Sequence, residues 1–404
     1  MRKIFLSLIL ILILFNAAAA QTESARLLFI GDIMAHDQQL KAAKTKNNNY
    51  NFRPQFRRVK PLFEDEFAVG NLETVFAGDN KKYSGYPLFN TPDILIEDLK
   101  DSLGIDFLTL ANNHIFDKGE AGARRTAEIL ENAEVPWTGL GLDIKDDAGE
   151  IIKSIPENDA VLINYNNLKF AFINLTYGSN LNFAMQDVKL NIISHKNIEQ
   201  AVNNAKALEP DIIIACFHWG NEYQFKPSAA QQDAADYALE CGADLIIGTH
   251  PHVLQPVEIR DYDTSSPKVI AWSLGNFVSF QRTLPRERSI ILAVEFSKDL
   301  NNNRAEPRRA AKITRVSAAP LYVIAPGSFK TEVTYAGFDN KTISKLDFKN
   351  ISKNNLAKLK TVGKAVLEFL GVNNLEQADE YGFYTLWDES EPDNLPIAKR
   401  KSPK

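Results

Sequence analysis

The stretch LIIGTHPH, residues 245–252, shows a pattern that recurs along the chain: an apolar run followed at once by a polar cluster. Its apolar part is typical of a buried strand, and the glycine and threonine after it mark the end of that strand. His250 precedes a proline, and proline disfavours the helical region for the residue before it. We therefore expect an extended segment in which His250 and His252 point to the same side.

Five more apolar runs along the chain end in the same way. The polar clusters that follow them are GDIM at 31–34, GNLET at 70–74, ANNH at 111–114, HWGNE at 218–222 and SLGNF at 273–277. In open α/β sheets, ligands bind outside the carboxyl ends of strands, so we expect all six clusters to converge on one site. Gly31, Gly70 and Gly248 are expected to let the backbone turn sharply or approach a ligand closely.

Helical patterns alternate with the strand-like runs, at 92–103, 119–132, 198–208 and 228–240. This alternation predicts an α/β fold in which helices cover sheets. Asn166 and Asn167, between two strand-like runs, predict a hairpin and hence at least one mixed sheet. The main domain is predicted over residues 21–325. Residues 326–404 are predicted to be a small accessory region with a helix at 356–370 and a disordered basic tail from Lys399.

The composition is that of an ordinary globular protein, with 45% hydrophobic and 24% charged residues among 404. Its 46 basic and 51 acidic residues give a net charge of −5, so the chain lacks the overall basicity typical of nucleic-acid binding. Two cysteines cannot form a four-thiolate zinc site. Cys216 and Cys241 are predicted to be small buried residues rather than a disulfide.

The N-terminus has the order of a secretory signal peptide. Arg2 and Lys3 precede an apolar run at 4–15 and then four alanines at 17–20. We predict a signal peptide over residues 1–20, cleaved after Ala20, and a mature protein in the periplasm, in the cell envelope or outside the cell. The apolar run is shorter than the roughly 20 residues of a transmembrane helix, although an uncleaved membrane anchor remains the alternative.

The clusters supply oxygen and imidazole ligands without thiolates, a set that suits Mn, Fe, Zn or Mg. Each residue also has a structural interpretation: Asp32 as a helix N-cap, Asn113 as a turn former, His218 as a buried core residue. His36 and His195 are predicted to be structural or exposed.

Taken in order, these motifs resemble the CapA family of bacterial capsule and poly-γ-glutamate synthesis proteins. The resemblance runs from about residue 27 to residue 280 and includes Asp117 and Gly119 after the ANNH motif. It implies a metallophosphoesterase-like fold, a four-layer α/β/β/α sandwich of two mixed sheets flanked by helices. It also implies a role in the synthesis or export of an anionic polymer such as poly-γ-glutamate, with membrane polymer-synthase components as partners. The alternatives are a secreted metal-dependent phosphoesterase and a non-catalytic polymer-binding module.

The resemblance also assigns roles to individual residues. His114 would act near the leaving group of a phosphoester as the catalytic acid. One or two divalent ions would be bound by Asp32, Asn113, His218, His250 and His252.

Two positions depart from the metallophosphoesterase pattern. Met34 stands where those enzymes have a histidine, and Asn71 stands where they have a bridging aspartate. Glu73 is the candidate for the missing carboxylate and His36 for the missing imidazole, although neither follows from spacing. We therefore expect a weakened or single metal site. The candidates for substrate binding are Asn71, Glu222, Asn276 and Arg282, the last of which is otherwise a surface arginine.

Overall fold

The computed structural model describes residues 22–400 except 147, 182–186, 301–310, 326–331, 339, 347, 349–350, 373, 376 and 392–397. The predicted signal peptide, residues 1–20, lies outside the described residues. Among the helices that are described, none has the length and apolar character needed to cross a membrane.

The elements follow one another in a largely alternating order. The strands are β1 (Thr22–Ile33), β2 (Phe67–Leu72), β3 (Ile105–Thr109), β4 (Trp137–Thr138), β5 (Leu140–Lys145), β6 (Ile151–Ile155), β7 (Val161–Tyr165), β8 (Leu168–Thr176), β9 (Lys189–Leu190), β10 (Ile212–His218), β11 (Leu245–Thr249), β12 (Val257–Arg260), β13 (Lys268–Ala271), β14 (Asn276–Val278), β15 (Arg288–Asp299), β16 (Ala311–Ile324), β17 (Glu332–Tyr335), β18 (Tyr384–Asp388) and β19 (Ala398–Arg400). The helices are α1 (Asp37–Ala43), α2 (Ile94–Glu97), α3 (Gly119–Asn132), α4 (His195–Ala207), α5 (Ala229–Cys241), α6 (Asn340–Lys345) and α7 (Lys353–Phe369), and a π-helical turn, Asp98–Leu103, continues α2.

In the described part of the chain, these strands form two large mixed sheets and one small sheet. The first has nine strands in the order β17-β16-β15-β1-β2-β3-β4, with β14 beside β1 and β18 beside β16. The second has seven, in the order β19-β12-β13-β11-β10-β8-β7. In the first sheet, β1, β2, β3 and β4 run parallel, and β15 and β16 follow antiparallel beyond β1. In the second sheet, the parallel strands β13, β11, β10 and β8 lie between the antiparallel β12 and β7. The third sheet contains β6, β5 and β9.

Alternation along the strands separates three layers of core. On β1, Leu28 and Ile30 pack into the core shared with α1, α2 and α3, whereas Leu27 and Phe29 pack into the core between the two large sheets. A third core joins the outer face of the second sheet, including Ile213, to α4 and α5. The layers are therefore helix, sheet, sheet and helix, which confirms the predicted fold class.

The predicted hairpin is present. Strands β7 and β8 pair antiparallel with Tyr165 opposite Leu168, so Asn166 and Asn167 form a two-residue loop. Both asparagines have positive φ, 48° and 63°, as such a turn requires.

The region after residue 325 is integrated into the sandwich. Strands β17 and β18 extend the first sheet, and α7 packs Leu359, Val362 and Val366 into the core between the sheets. Strand β19 pairs with β12, so the prediction of a disordered tail is wrong for Lys399 and Arg400. Residues 401–404 lie outside the described part.

The two cysteines are free thiols, but Cys241 is only partly buried, so the prediction of two buried cysteines holds for Cys216 alone. Cys216 is buried within β10, and burial raises its pKa to about 12.

Candidate functional site

Strand pairing in the first sheet places three polar side chains together. Asp32 lies near the carboxyl end of β1, opposite Asn71 on β2 and Asn276 on β14. The Asn71 amide donates to Asp32 Oδ1 at 2.8 Å. A Cβ on Gly31 would lie 1.8 Å from the carbonyl oxygen of Gly275, so only glycine allows the chain this close to β1. Gly31 therefore serves strand approach rather than the predicted approach to a ligand.

The second sheet contributes histidines to the same place. His252 Nδ1 lies 3.1 Å from Asp32 Oδ2 and 3.0 Å from Asn276 Oδ1. His218, the last residue of β10, has its Nε2 2.7 Å from Asn113 Oδ1. The polar clusters predicted at six strand ends thus converge on one site between the sheets.

The backbone around Pro251 is not extended, so the prediction from the proline was wrong. His250 and His252 have φ of 96° and 57°, in the left-handed region that side chains with a Cβ avoid at a cost of roughly 1–2 kcal/mol per residue. The N–H of Tyr223 donates to the Pro251 carbonyl at 2.8 Å and holds this turn. The two imidazole rings still converge, with their centres 5.8 Å apart.

Glu73 is the carboxylate at the centre of the cluster. Its side chain is fully buried, and neither oxygen has a hydrogen-bond partner among the described residues. Its Oε1 lies 3.8 Å from Nε2 of both His218 and His252. Burial, and then the charge of Asp32, raise the pKa of Glu73 well above its ordinary value. A buried carboxylate left without a partner is costly, so this position fits a cation.

Glu73 is shared by two groups of possible metal ligands. One is Glu73 with His218 and His250, the other Glu73 with Asp32 and His252, and within each group the ligand atoms lie within 4.8 Å of one another. All five side chains are buried. The cluster has the composition and spacing of a divalent-metal site, and its donors fit Mn, Fe, Zn or Mg.

Two histidines of the cluster, His218 and His250, are held neutral, the form that binds metal. Burial lowers the pKa of His218 well below its ordinary value and that of His250 to about 3. The Nδ1 of His250 is buried without a hydrogen-bond partner in the described structure. The Nδ1 of His218 lies 3.0 Å from the Thr249 hydroxyl, which fixes the ring and leaves Nε2 facing the cluster.

His114 lies beside this cluster with a carboxylate behind it. Its Nδ1 is 2.8 Å from Asp117 Oδ2, which also accepts the Phe89 N–H at 2.7 Å. The opposite ring atom, Nε2, faces Asn180 at 3.5 Å. Asp117 therefore orients the imidazole as a positioning residue.

The remaining two histidines have structural roles. The N–H of His36 donates to Gln39 Oε1 at 2.9 Å at the start of α1, and burial lowers the pKa of its imidazole to about 4. His195 pairs with Asp233 at 2.8 Å and stacks on Tyr237, with its side chain half exposed.

The four residues predicted to bind substrate have three different environments. Asn71 and Asn276 are buried and bonded to Asp32 and His252, so they orient the cluster instead. Glu222 is exposed. Arg282 pairs with Glu287 at 2.8 Å and donates to the Val323 carbonyl at 2.7 Å, an arrangement that does not support a substrate role.

The sequence analysis missed Tyr177, which directly follows β8. Its ring centre lies 4.6 Å from that of His250, and its side chain is 45% exposed. Because β8 lies beside β10 in the parallel part of the second sheet, its end belongs to the same edge. Applying the strand-end rule to this run would have found it.

The chain resembles two solved nucleotidase structures. The NAD nucleotidase of Haemophilus influenzae (NadN) aligns with a TM-score of 0.43 and 14% identity, covering 89% of this chain and 65% of that protein. The 5'-nucleotidase from Candida albicans SC5314 aligns with a TM-score of 0.41 and 13% identity, covering 85% and 58%.

Two sequence relatives come from Bacillus. Capsule biosynthesis protein CapA of Bacillus anthracis is 29% identical over 264 residues, which are 64% of this chain and 60% of that protein. PGA biosynthesis protein CapA of Bacillus subtilis (strain 168) is 28% identical over 283 residues, 69% of each. The chain thus spans about 60% of the first relative's length. Residues 26–281, more than half of the chain, match the family described as "Bacterial capsule synthesis protein PGA_cap", and the chain belongs to that family.

Proposed function

We propose that this chain acts outside the cytoplasm in the synthesis or export of an anionic capsule polymer such as poly-γ-glutamate, and that this role requires a divalent metal at the strand-end cluster. The observation that carries the metal requirement is Glu73, a fully buried carboxylate without hydrogen bonds between two groups of histidine and carboxylate ligands. Family membership supports the capsule role, and the N-terminal sequence supports the location. Membrane components of a polymer synthase are the proposed partners.

The residues at this site have two roles: some would hold the metal, and others orient the metal-binding side chains. Asp32, Glu73, His218, His250 and His252 would hold the metal, with Asn113 as a further ligand. Asn71 and Asn276 orient Asp32 and His252 through hydrogen bonds of 2.8 and 3.0 Å. When bound, a divalent metal supplies Lewis acidity and lowers the pKa of bound water.

The test is metal analysis of the purified protein at neutral pH. We expect stoichiometric metal in the wild type and its loss in the double variant His250→Ala/His252→Ala. His195→Ala is the matched control, because His195 is a surface histidine outside the cluster. A wild type without metal, or a double variant that keeps it, would contradict the proposed site.

The capsule role is tested by deleting the gene in the source bacterium. We expect a reduced amount or an altered length of the surface polymer, restored by the wild-type gene but not by the double-histidine variant. Unchanged polymer after deletion refutes the role in synthesis or export. Tight polymer binding by purified protein without turnover would favour the non-catalytic binding module.

A second candidate function is metal-dependent phosphoester hydrolysis, and the pairing of His114 with Asp117 favours it. With Nδ1 held by Asp117, Nε2 is the ring atom available to give a proton to a departing oxygen. We expect purified metal-loaded protein to hydrolyse a generic phosphodiester or monoester. Asp117→Asn should lower kcat by roughly 10–100-fold with unchanged metal content, whereas undetectable hydrolysis by the wild type would exclude this candidate.

A further inference from the structure

Arg286 lies at the rim of the site, on the loop between β14 and β15. The central carbon of its guanidinium lies 3.5 Å from the centre of the Tyr223 ring. At this distance the planar guanidinium packs on the aromatic face. Such packing uses one face of the guanidinium, and the N–H donors around its edge can still bind another group.

Backbone hydrogen bonds of both Tyr223 and Arg286 connect this pair to the cluster. On the Tyr223 side, its backbone N–H donates to the Pro251 carbonyl, between His250 and His252. On the Arg286 side, its carbonyl accepts the Asn276 amide at 3.0 Å, and the oxygen of that amide lies 3.0 Å from His252 Nδ1. The Tyr223 ring centre is 6.1 Å from that of His252. The backbones of both residues are therefore tied to the histidine cluster, and the guanidinium lies against a ring that is itself next to His252.

Arg286 differs from its neighbour Arg282 in what it contacts. Among the described residues, no carboxylate lies within ion-pair distance of Arg286, whereas Arg282 pairs with the buried Glu287. Burial, and then the neighbouring Glu222, raise the pKa of Tyr223 to about 12, so its ring carries no negative charge at neutral pH. In a chain of net charge −5, Arg286 is thus a positive group available at the mouth of a site lined by carboxylates.

We propose that Arg286 is the residue that binds an anionic group of the substrate, a carboxylate or a phosphate, beside the metal cluster. This inference rests on the proposed function and deepens it, because it names the chemistry that the site recognises. The guanidinium offers paired N–H donors in a plane, which match two oxygens of either group. Tyr223 is its positioning residue.

The test is isothermal titration of the full-length, metal-loaded protein with two probes, a γ-linked glutamate oligomer and inorganic phosphate. We expect the wild type to bind at least one probe, and the tighter probe identifies whether a carboxylate or a phosphate is recognised. Arg286→Gln should weaken that binding by about 10–100-fold, and Arg286→Lys should recover only part of it. Lys364→Gln removes the same charge from an exposed pair on α7 and should leave affinity unchanged.

A second measurement separates recognition from folding. Thermal unfolding and metal content of Arg286→Gln should match the wild type, and added salt should weaken probe binding to the wild type more than to the variant. Wild-type affinity in Arg286→Gln, or no binding of either probe to the wild type, overturns the inference. Both results leave the metal test at His250 and His252 standing, so the two proposals fail separately.

Discussion

In the metal-free protein, the negative charge of an ionised Glu73 is energetically unfavourable. The carboxyl is fully buried and lies near the carboxyl of Asp32, and its two oxygens are without a hydrogen-bond donor among the described residues. Both burial and the neighbouring negative charge favour its protonated form. A divalent cation reverses this preference, so Glu73 links metal binding to protonation.

Replacing Glu73 by glutamine should therefore stabilise the metal-free protein at neutral pH. The pKa of Glu73 is raised in the folded state, so the folded chain holds a proton that the unfolded chain releases above pH about 4.5, and stability is lost as pH rises. Glutamine cannot ionise. We expect the free energy of unfolding of Glu73→Gln, relative to wild type, to rise by about 1–3 kcal/mol between pH 5 and pH 8.

Urea denaturation in the presence of EDTA at several pH values measures this difference. His218 and His250 have lowered pKa values and act in the opposite direction, but they are common to both proteins and cancel in the comparison. Excess divalent metal should reverse the order, stabilising the wild type more than the variant. A difference that does not change with pH would show that Glu73 is ionised in the metal-free fold.

For individual residues, the sequence predicted which residues lie at the site better than it predicted what each of them does there. The strand-end clusters identified Asp32, His218 and the histidines at 250 and 252, because each is adjacent in sequence to the end of its strand. The central place of Glu73 depends on how two sheets face each other, which local spacing does not encode. Arg282 was predicted to bind substrate and Arg286 was not considered for the same reason, since only the folded loop shows which arginine is paired with Glu287.

At the scale of elements, a close approach that shapes the site is between β1 and the chain entering β14. Asp32 and Asn276 are paired across these parallel strands, and both contact His252. The pairing requires a residue without a Cβ at 31, because the carbonyl oxygen of Gly275 occupies that space.

Gly31→Ala should therefore separate the two strands and disrupt the metal site. We expect a loss of more than about 2 kcal/mol in the free energy of unfolding, as for an overpacked core, and loss of bound metal. Gly149→Ala is the control, because nothing lies near the Cβ that it would add; unlike Gly31, Gly149 has a positive φ, 84°. It should cost about 1 kcal/mol and leave metal content unchanged. Equal metal content in both variants would show that the strand approach is not needed.

The elements that the sequence predicted correctly are those with strong local signals. The helix expected at 119–132 is α3, and the turn at Asn166 and Asn167 needs only two residues able to adopt positive φ. The segment at His250 shows the limit of such rules, because tertiary contacts impose a left-handed conformation that the proline rule disfavours. The 14-residue strand β16 contains Pro320, and its pairing became visible only in the folded sheet.

For the whole molecule, the central question is whether the C-terminal region is a separate unit. The sequence predicted a small accessory region over residues 326–404, because sequence alone does not show which strands join a sheet. In the structure, Trp387 on β18 is fully buried in the core between the sheets, together with Leu367 of α7 and Phe29 of β1. Contacts of this kind couple the stability of the region to that of the metal-site strands.

We therefore expect the chain to unfold in one cooperative transition, and we expect Trp387→Ala to lower the Tm of that single transition. Loss of a large buried aromatic side chain costs about 3–5 kcal/mol. Differential scanning calorimetry measures the unfolding of the chain, and metal release followed over the same temperature range measures the loss of the metal site. Leu356→Ala provides the control within the same region, since Leu356 is 38% exposed and should change Tm little. A separate low-temperature transition in Trp387→Ala, with metal retained until the main transition, would instead show that residues 326–404 unfold independently of the sandwich that holds the site.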